Sequence, residues 1–533
     1  LEIQRRFDMK EETTICTDPA TGEVIDRVPV VGPDQVRDAI ARAREAQASW
    51  AETPVRQRIK AMRRVRDHIV SHADELARTI SRDNGKTRQD AMTTEVAAAA
   101  MSLSYYSRKA RRFLRERGLP TGNPLLVYKR SRLRRVPFGV IGIISPWNYP
   151  LGIPFHEIVK ALLAGNAVVL KVASQTQMVG RAIEECFRGA VPEGVFTHVN
   201  IPGRLAGDTF LEGGVDKLFF TGSVAVGRTL MGKAAETITP VSLELGGNDP
   251  MLVCADADIE RAAEGAVWGG LSNAGQSCGG VERIYVHADV HEQFVGTLGE
   301  KVRALRVGPA ATLDVDMGAM TTRAQMETVR DHVQDALGKG ATIHAESRAP
   351  EGEPGNFLPA MVLTSVDHTM RIMREETFGP VLCVMKVGSM ERAVELANDS
   401  DLGLSASVWS RSRRRAGRLA RRIRAGTIMV NDHLMNHGMA ETPWGGFKRS
   451  GIGRTHGEIG FDEMTEPQCI VQDCLPLARR SMWWHPYDPT VYRGIRGFLS
   501  VLYARGPGRR LTGLLDLLRL ALRYWSRTKA LPG

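Results

Sequence analysis

"VPFGVIGIISPWNYPLGIPFHEIVKALLAGNAVVLKV" (residues 136–172) holds two short apolar runs separated by a helical pattern near 153–164. Each run is too short and too β-branched for a buried helix, and each is bounded by Gly or Pro, so both are read as strands. A strand, a helix and a second strand form the crossover unit of a parallel sheet. The rhythm continues through a helix near 175–189, "THVNIPG" (197–203), "VDKLFFTGS" (215–223) and another helix. This predicts an open parallel sheet with crossover helices. A second alternating series runs from "DPMLVCADAD" (249–258) through "ERIYVH" (282–287) and "GATIHA" (340–345) to "GTIMVND" (426–432), predicting a further α/β domain. Upstream, helical patterns fill 34–49, 55–81 and 89–116 before "GLPTGNP" (118–124) breaks the chain.

A length of 533 residues predicts two or three domains, and 43% hydrophobic with 25% charged residues is ordinary for a globular chain. The first thirty residues hold no signal-like apolar run, and nowhere do eighteen apolar residues follow one another, so a cytoplasmic location is expected. Seven cysteines, at 16, 186, 254, 278, 383, 469 and 474, form no CxxC pair. Neither a disulfide framework nor a structural zinc site is expected.

The net charge of +11 would suggest nucleic acid if it were spread over the chain. It is not. From 475 to 533 there are eleven Arg or Lys against two Asp, which leaves the rest of the chain nearly neutral. "RSRRRAGRLARRIR" (411–424) is Arg-dense, but Leu419 and Ile423 lie four apart on one helical stripe and no aromatic residues are interleaved. It is read as a solvated helix face, with no nucleic-acid partner.

Two stretches carry candidate chemistry. In "NAGQSCGG" (273–280), Cys278 sits among residues small enough to leave room beside its sulfur, as a nucleophile requires; a buried inert cysteine would look similar in isolation. In "LFFTGSVAVGR" (218–228), Gly222, Ser223 and Gly227 stand where a strand passes into a helix. Such a helix start suits a pyrophosphate, and it suits a tight turn equally well.

"SPWNYP" (145–150), "LKVAS" (170–174), "FTGS" (220–223), "LELGGND" (243–249), "NAGQSC" (273–278), "EETFGPV" (375–381) and "PWGGFKRSG" (443–451) occur in this order. Taken together, from about residue 15 to 474, the chain resembles the aldehyde dehydrogenase superfamily. The resemblance implies a Rossmann-type cofactor domain over 1–126 and 138–246, to which 447–463 return, and an α/β catalytic domain over 247–446. It also implies a bridging β element from 127–137 and 464–474, and assembly as a homodimer or homotetramer.

The same resemblance implies oxidation of an aldehyde by NAD or NADP through a cysteine thiohemiacetal and thioester. Cys278 is the implied nucleophile, and the Asn148 amide with the Cys278 N–H the implied oxyanion donors. Glu244 is the implied base; relatives that transfer the acyl group to coenzyme A lack it, so a free acid is expected. Its setting between leucines and before two glycines also predicts desolvation and a raised pKa. Lys171 is an implied ribose or phosphate ligand, Glu376 the implied ligand of the nicotinamide ribose hydroxyls, and Phe378 the residue implied to pack on the nicotinamide. Ile144, Trp147, Ser174, Gly222, Ser223, Gly227 and Leu245 complete the implied cofactor site. At 174 many NAD-preferring relatives carry a glutamate, whose charge would repel a 2′-phosphate; Ser174 would tolerate NADP. In some relatives a lysine after the asparagine and a glutamate after "SGxGR" relay the proton. Glu157 and Thr455 stand there in this chain, so another water path to Glu244 is expected.

Substrate expectations rest on less. Some semialdehyde enzymes grip a distal carboxylate with an arginine near the place of His156; with His156 there, and Leu151, Ile153 and Phe155 nearby, an aliphatic or aromatic aldehyde is expected. A semialdehyde dehydrogenase, or a catalytically silent protein of the same fold, is the alternative. His433 and His437 form an HxxxH pair without a third ligand, so no metal is expected, and both are placed at the substrate mouth or in a loop. After 474, "VYRGIRGFLSVLYAR" (491–505) and "RRLTGLLDLLRLALRYWSR" (509–527) flank "GPG" as two basic amphipathic helices. They suit either a peripheral membrane contact or a packing surface.

Overall fold

The structure is a computed structural model that describes residues 13–311, 313–350, 354–474, 483–485 and 489–525. Two sheets dominate, and both are parallel except at one edge. The first has six strands in the order Gly451–Ile452, Val241–Glu244, Lys217–Thr221, Val140–Ile144, Ala167–Lys171, Phe196–His198. Only the two-residue edge strand is antiparallel. The strands Val140–Ile144 and Ala167–Lys171 are buried along their whole length, which is why both read as continuous apolar runs. Their connecting helix, Gly152–Ala164, has twelve buried positions and ends on Gly165 at φ 103°, where a left-handed residue returns the chain to the sheet.

The second sheet has seven strands in the order Thr342–Glu346, Met361–Thr364, Val381–Val387, Val281–His287, Asp249–Val253, Ser405–Trp409, Thr427–Val430. All four segments predicted for this series are among them. The Arg-dense stretch forms the helix Arg413–Ala420, burying Ala416 and Leu419 while its arginines face outward.

The long helix expected over 55–81 is two helices, Val55–Ser71 and Ala73–Asn84. Ser71 Oγ donates to the Asp67 carbonyl (2.8 Å) and His72 Nδ1 pairs with the His68 carbonyl (2.9 Å), so side chains take up carbonyls of the last turn and end the helix. By chain contacts the molecule divides into two units. Residues up to 115 with 135–466 form one; 116–134 with 467 onward form the other. The second unit holds most of a three-stranded sheet, whose strands are Thr465–Asp473, Lys129–Pro137 and Arg117–Leu119, together with the helices Pro489–Tyr503 and Pro507–Trp525. Parts of the predicted tail, including Arg527, lie outside the described residues. No described helix is long and apolar enough to cross a membrane.

Candidate active site

Parallel strands end together, and the register of the six-stranded sheet brings five side chains to one edge. Ile144 is paired with Lys171 and with Phe220, and Thr221 is paired with Glu244. Ligands of open α/β sheets gather at this carboxyl edge. Beyond it lies a cavity lined by Ile153, Glu157, Thr221, Glu244, Leu245, Cys278, His437, Trp444, Thr455 and His456. A neighbouring cavity shares Glu157, Thr221, Glu244 and Thr455 and continues past Ile144, Ser145, Ser242 and Arg454.

Cys278 reaches the cavity from a constrained turn. Asn273 and Ala274 are left-handed at φ 55° and 54°, and Gly275 follows at φ 72°. A Cβ on Gly275 would stand 2.1 Å from the Gly379 carbonyl, so only glycine fits there. Burial first, then the nearby Glu376, Asp249 and Glu244 carboxyls, push the thiol well above its ordinary range. At rest the sulfur is protonated, and its reaction requires a proton acceptor.

Asn148 is held by its backbone. Lys86 Nζ (2.8 Å) and Asn273 Nδ2 (2.9 Å) both donate to its carbonyl, and Asn84 Nδ2 donates to the carbonyl of Trp147 (2.8 Å). Lys86 is itself paired at 2.6 Å with Glu95, both side chains fully buried, and Glu95 accepts from the N–H groups of Leu151 and Gly152. The Asn148 side chain donates through Nδ2 to the Gln276 carbonyl (3.1 Å), two residues before Cys278.

Glu244 is half-buried on the cavity wall. Burial, followed by the neighbouring Glu157 charge, raises it well above the ordinary carboxylate range. Its Oε2 has no hydrogen-bond partner among the described residues, whereas Glu157 Oε2 lies in an ion pair 3.0 Å from Lys160 Nζ. Glu157 and Thr455, the two departures from the relay pattern, come together here. Thr455 Oγ1 donates to Glu157 Oε1, while Lys160 Nζ donates to Thr455 Oγ1 (2.6 Å) and to Glu157 Oε1 (3.2 Å). Lys160, one helical turn after Glu157, thus brings a cation beside this network.

The residues fit a dinucleotide. The Lys171 ammonium is buried with no hydrogen-bond or ion-pair partner among the described residues, and burial lowers it to about 8. An added Cβ on Gly203 would lie 3.7 Å from it. Glu376 Oε1 accepts from the Gly247 N–H (2.9 Å), and a Cβ on Gly246 would meet Glu376 Oε2 at 2.2 Å, so the carboxylate lies directly on a glycine pair. Gly227 packs equally closely on Leu245, whose Cδ2 would be 2.7 Å from an added Cβ. Phe378, left-handed at φ 54°, sets its ring edge-on to Trp147 at 5.5 Å. Ser223 Oγ caps the helix Val224–Thr237, whereas the Gly222 N–H is not free for a ligand: it donates to the Glu244 carbonyl (3.1 Å). Ser174 opens a single turn three residues beyond Lys171, partly exposed.

The expectations for Leu151 and Phe155 are corrected. Leu151 and Phe155 do not line the cavity: four apart at the start of one helix, both join the core, where Phe155 packs on Phe187 at 5.6 Å. Ile153, between them in sequence, faces the opposite way and does line it. His433 stands in a loop, one of the two places expected for it, its imidazole bridging Ser407 Oγ and the Gly279 carbonyl at 2.9 Å each. His156, His437 and His456 instead form a buried cluster, with His156 and His456 4.2 Å apart and His437 5.0 Å from Trp444. Burial holds His437 at about 4 and the other two well below the ordinary histidine range, so all three are neutral.

Sequence patterns missed Glu282. Its Oε1 accepts from the N–H groups of Thr377 and Phe378 (2.9 and 2.8 Å), and its Oε2 accepts from Asn248 Nδ2 (2.9 Å). One carboxyl therefore ties the Glu376 loop to the turn after Glu244. A glutamate inside "VERIYVH" gave no local sign of this.

The aldehyde dehydrogenase family model matches residues 7–470. This chain belongs to that family. It is 37% identical over 492 residues to a 4,4′-diapolycopene aldehyde oxidase of Methylomonas sp., covering 92% of this chain and 91% of the relative. It is 38% identical over 483 residues to a putative NADP-dependent succinate-semialdehyde dehydrogenase of Mycolicibacterium smegmatis, covering 89% and 93%. Among solved structures, an aldehyde dehydrogenase from Brucella melitensis biovar abortus superposes with a TM-score of 0.83 at 32% identity, over 87% of this chain and 94% of that one. The protein is an NAD- or NADP-dependent aldehyde dehydrogenase.

Proposed function

We propose that this aldehyde dehydrogenase oxidises neutral, apolar aldehydes, aliphatic or aromatic, to their carboxylic acids. The observation that carries the substrate class is that, among the described residues, no lysine or arginine lines the cavity around Cys278. The uncharged imidazoles of His437 and His456, with Trp444, Ile153 and Leu245, offer no cation to a distal carboxylate. Arg454 lines the adjoining cavity, and its Nη1 is committed to the Gly446 and Gly453 carbonyls.

In the proposed mechanism, Cys278 sulfur adds to the aldehyde carbon as its proton passes to Glu244. The Asn148 amide and the Cys278 N–H donate to the oxygen that becomes negative; one such donor is worth roughly 3 kcal/mol in the transition state. Lys171, Ser174 and Glu376 would hold the dinucleotide, with Trp147 and Phe378 beside its nicotinamide end, and when bound it would supply the acceptor for the hydride that leaves the reacting carbon. Once Glu244 has passed on the proton it took from Cys278, it deprotonates the water that hydrolyses the thioester and regenerates the thiol. Glu157 takes the proton from Glu244: Thr455 and Lys160 fix its carboxylate in the cavity that it shares with Glu244.

The division into a cofactor domain around the six-stranded sheet and a catalytic domain around the seven-stranded one belongs to the same proposal. So do assembly as a homodimer or homotetramer, a cytoplasmic location, and a peripheral membrane contact through the tail. The deciding assay is NAD(P)H formation over a panel of aldehydes. Apolar aldehydes are expected to exceed succinate semialdehyde in kcat/KM. The opposite ranking would establish a semialdehyde dehydrogenase instead.

A further inference from the structure

The helices Pro489–Tyr503 and Pro507–Trp525 pack as an antiparallel pair, and glycines make the seam. A Cβ on Gly494 would meet Leu520 at 2.6 Å, and one on Gly497 would meet the Gly513 carbonyl at 2.6 Å and Asp516 at 2.7 Å. Because small residues and Leu520 form this seam, the larger leucines are left outside it. Leu511, Leu514, Leu515, Leu518 and Leu522 follow helical spacing, and all are exposed, Leu522 by 71%. On the first helix Tyr492, Leu499, Leu502 and Tyr503 are exposed as well, Tyr503 by 75%.

Charge indicates what covers this apolar surface. Residues 489–525 contain seven arginines and one acid, Asp516. Asp516 is largely buried and lies 3.7 Å from Arg496 and 3.5 Å from Arg519, so one carboxylate serves an arginine on each helix. Arg493, Arg505, Arg509 and Arg510 are exposed with no carboxylate partner among the described residues. Interface cores between proteins are depleted in charge, whereas helices that lie on a bilayer combine a leucine stripe with flanking cations.

We infer that this hairpin lies in the interface of a bilayer carrying anionic phospholipid, with its leucines toward the acyl chains and its free arginines at the phosphates. This deepens the peripheral contact proposed above by naming the lipid and the contacting face. It also places the enzyme where long apolar aldehydes partition.

The test uses the full chain and flotation with vesicles of phosphatidylcholine, with or without phosphatidylglycerol. The protein is expected to float with the anionic vesicles, about tenfold less with the neutral ones, and less again in high salt. Leu515→Glu with Leu518→Glu, both on the exposed stripe, is expected to abolish flotation at unchanged native mass and unchanged turnover of a short soluble aldehyde. Failure of the intact protein to float, or flotation of the double variant equal to that of the parent, would overturn the inference. A change of native mass in the variant would overturn it in favour of a subunit contact. Turnover is read separately, so loss of lipid binding and failure of the enzymatic assignment remain distinguishable.

Discussion

Lys160 donates to Thr455 at 2.6 Å across 295 positions of sequence, and both also hydrogen-bond Glu157. Around Glu157 lie Lys160 and Thr455, with the carboxyl of Glu244 close enough to feel its charge. A carboxylate placed in this way can take a proton from the base. Glu157→Gln keeps the shape and removes the proton acceptance. The initial burst of NAD(P)H is expected to persist while steady-state kcat falls about tenfold or more, with an altered pH profile. Unchanged steady-state turnover would remove Glu157 from the proton path.

The roles of thiol and carboxyl separate in the same kind of experiment. Cys278→Ala is expected to abolish NAD(P)H production. Glu244→Gln is expected to give a burst followed by turnover slowed ~10²–10⁴-fold, with acyl-enzyme visible as added mass on the protein. Full steady-state activity in either variant would contradict the assignment.

The pH dependence has a definite sign. Both Cys278 and Glu244 are raised, chiefly by burial, so at neutral pH both favour their protonated forms. The reacting state needs a proton removed, and its population grows as pH rises. The single-turnover rate is therefore expected to increase from neutral toward alkaline pH. A rate that is flat or falling across that range would show that cofactor and substrate binding reset both groups.

Coenzyme choice is tested at Ser174. Ser174→Glu is expected to raise the KM for NADP much more than that for NAD, because a carboxylate there repels the 2′-phosphate. Equal changes would place the adenosine ribose elsewhere.

The sequence made Cys278, Asn148 and Glu244 legible because each stands in a local motif whose small neighbours and amides constrain it. The alternation of apolar runs likewise carried both sheets, since parallel strands buried on both faces have few other spellings. Lys86, Glu95, Lys160 and Glu282 were not legible. A lysine or glutamate in a helical or strand pattern reads as a solvent-facing residue, and only the fold shows that its partner is buried with it. Leu151 and Phe155 failed for a related reason: apolar character cannot distinguish a cavity wall from the core when consecutive helix positions face opposite ways.

Lys86 and Glu95 give that hidden layer a measurable consequence. Both side chains are fully buried, 2.6 Å apart; Lys86 also holds the Asn148 carbonyl and lies 4.0 Å from the centre of the Tyr149 ring. Lys86→Met leaves the Glu95 carboxylate without its cation in a dry site. Breaking a buried pair in this way costs about 3–5 kcal/mol, because the remaining charge has lost its compensation. The variant is expected to unfold at markedly lower denaturant concentration. Glu95→Gln in the Lys86→Met background removes that orphaned charge and is expected to recover part of the stability. Activity is expected to recover less, since neither change restores the hydrogen bond that fixes the Asn148 backbone. If the double variant regains stability and full kcat together, Lys86 acts only as a counter-ion and the position of Asn148 is set by Asn273 and Asn84 alone.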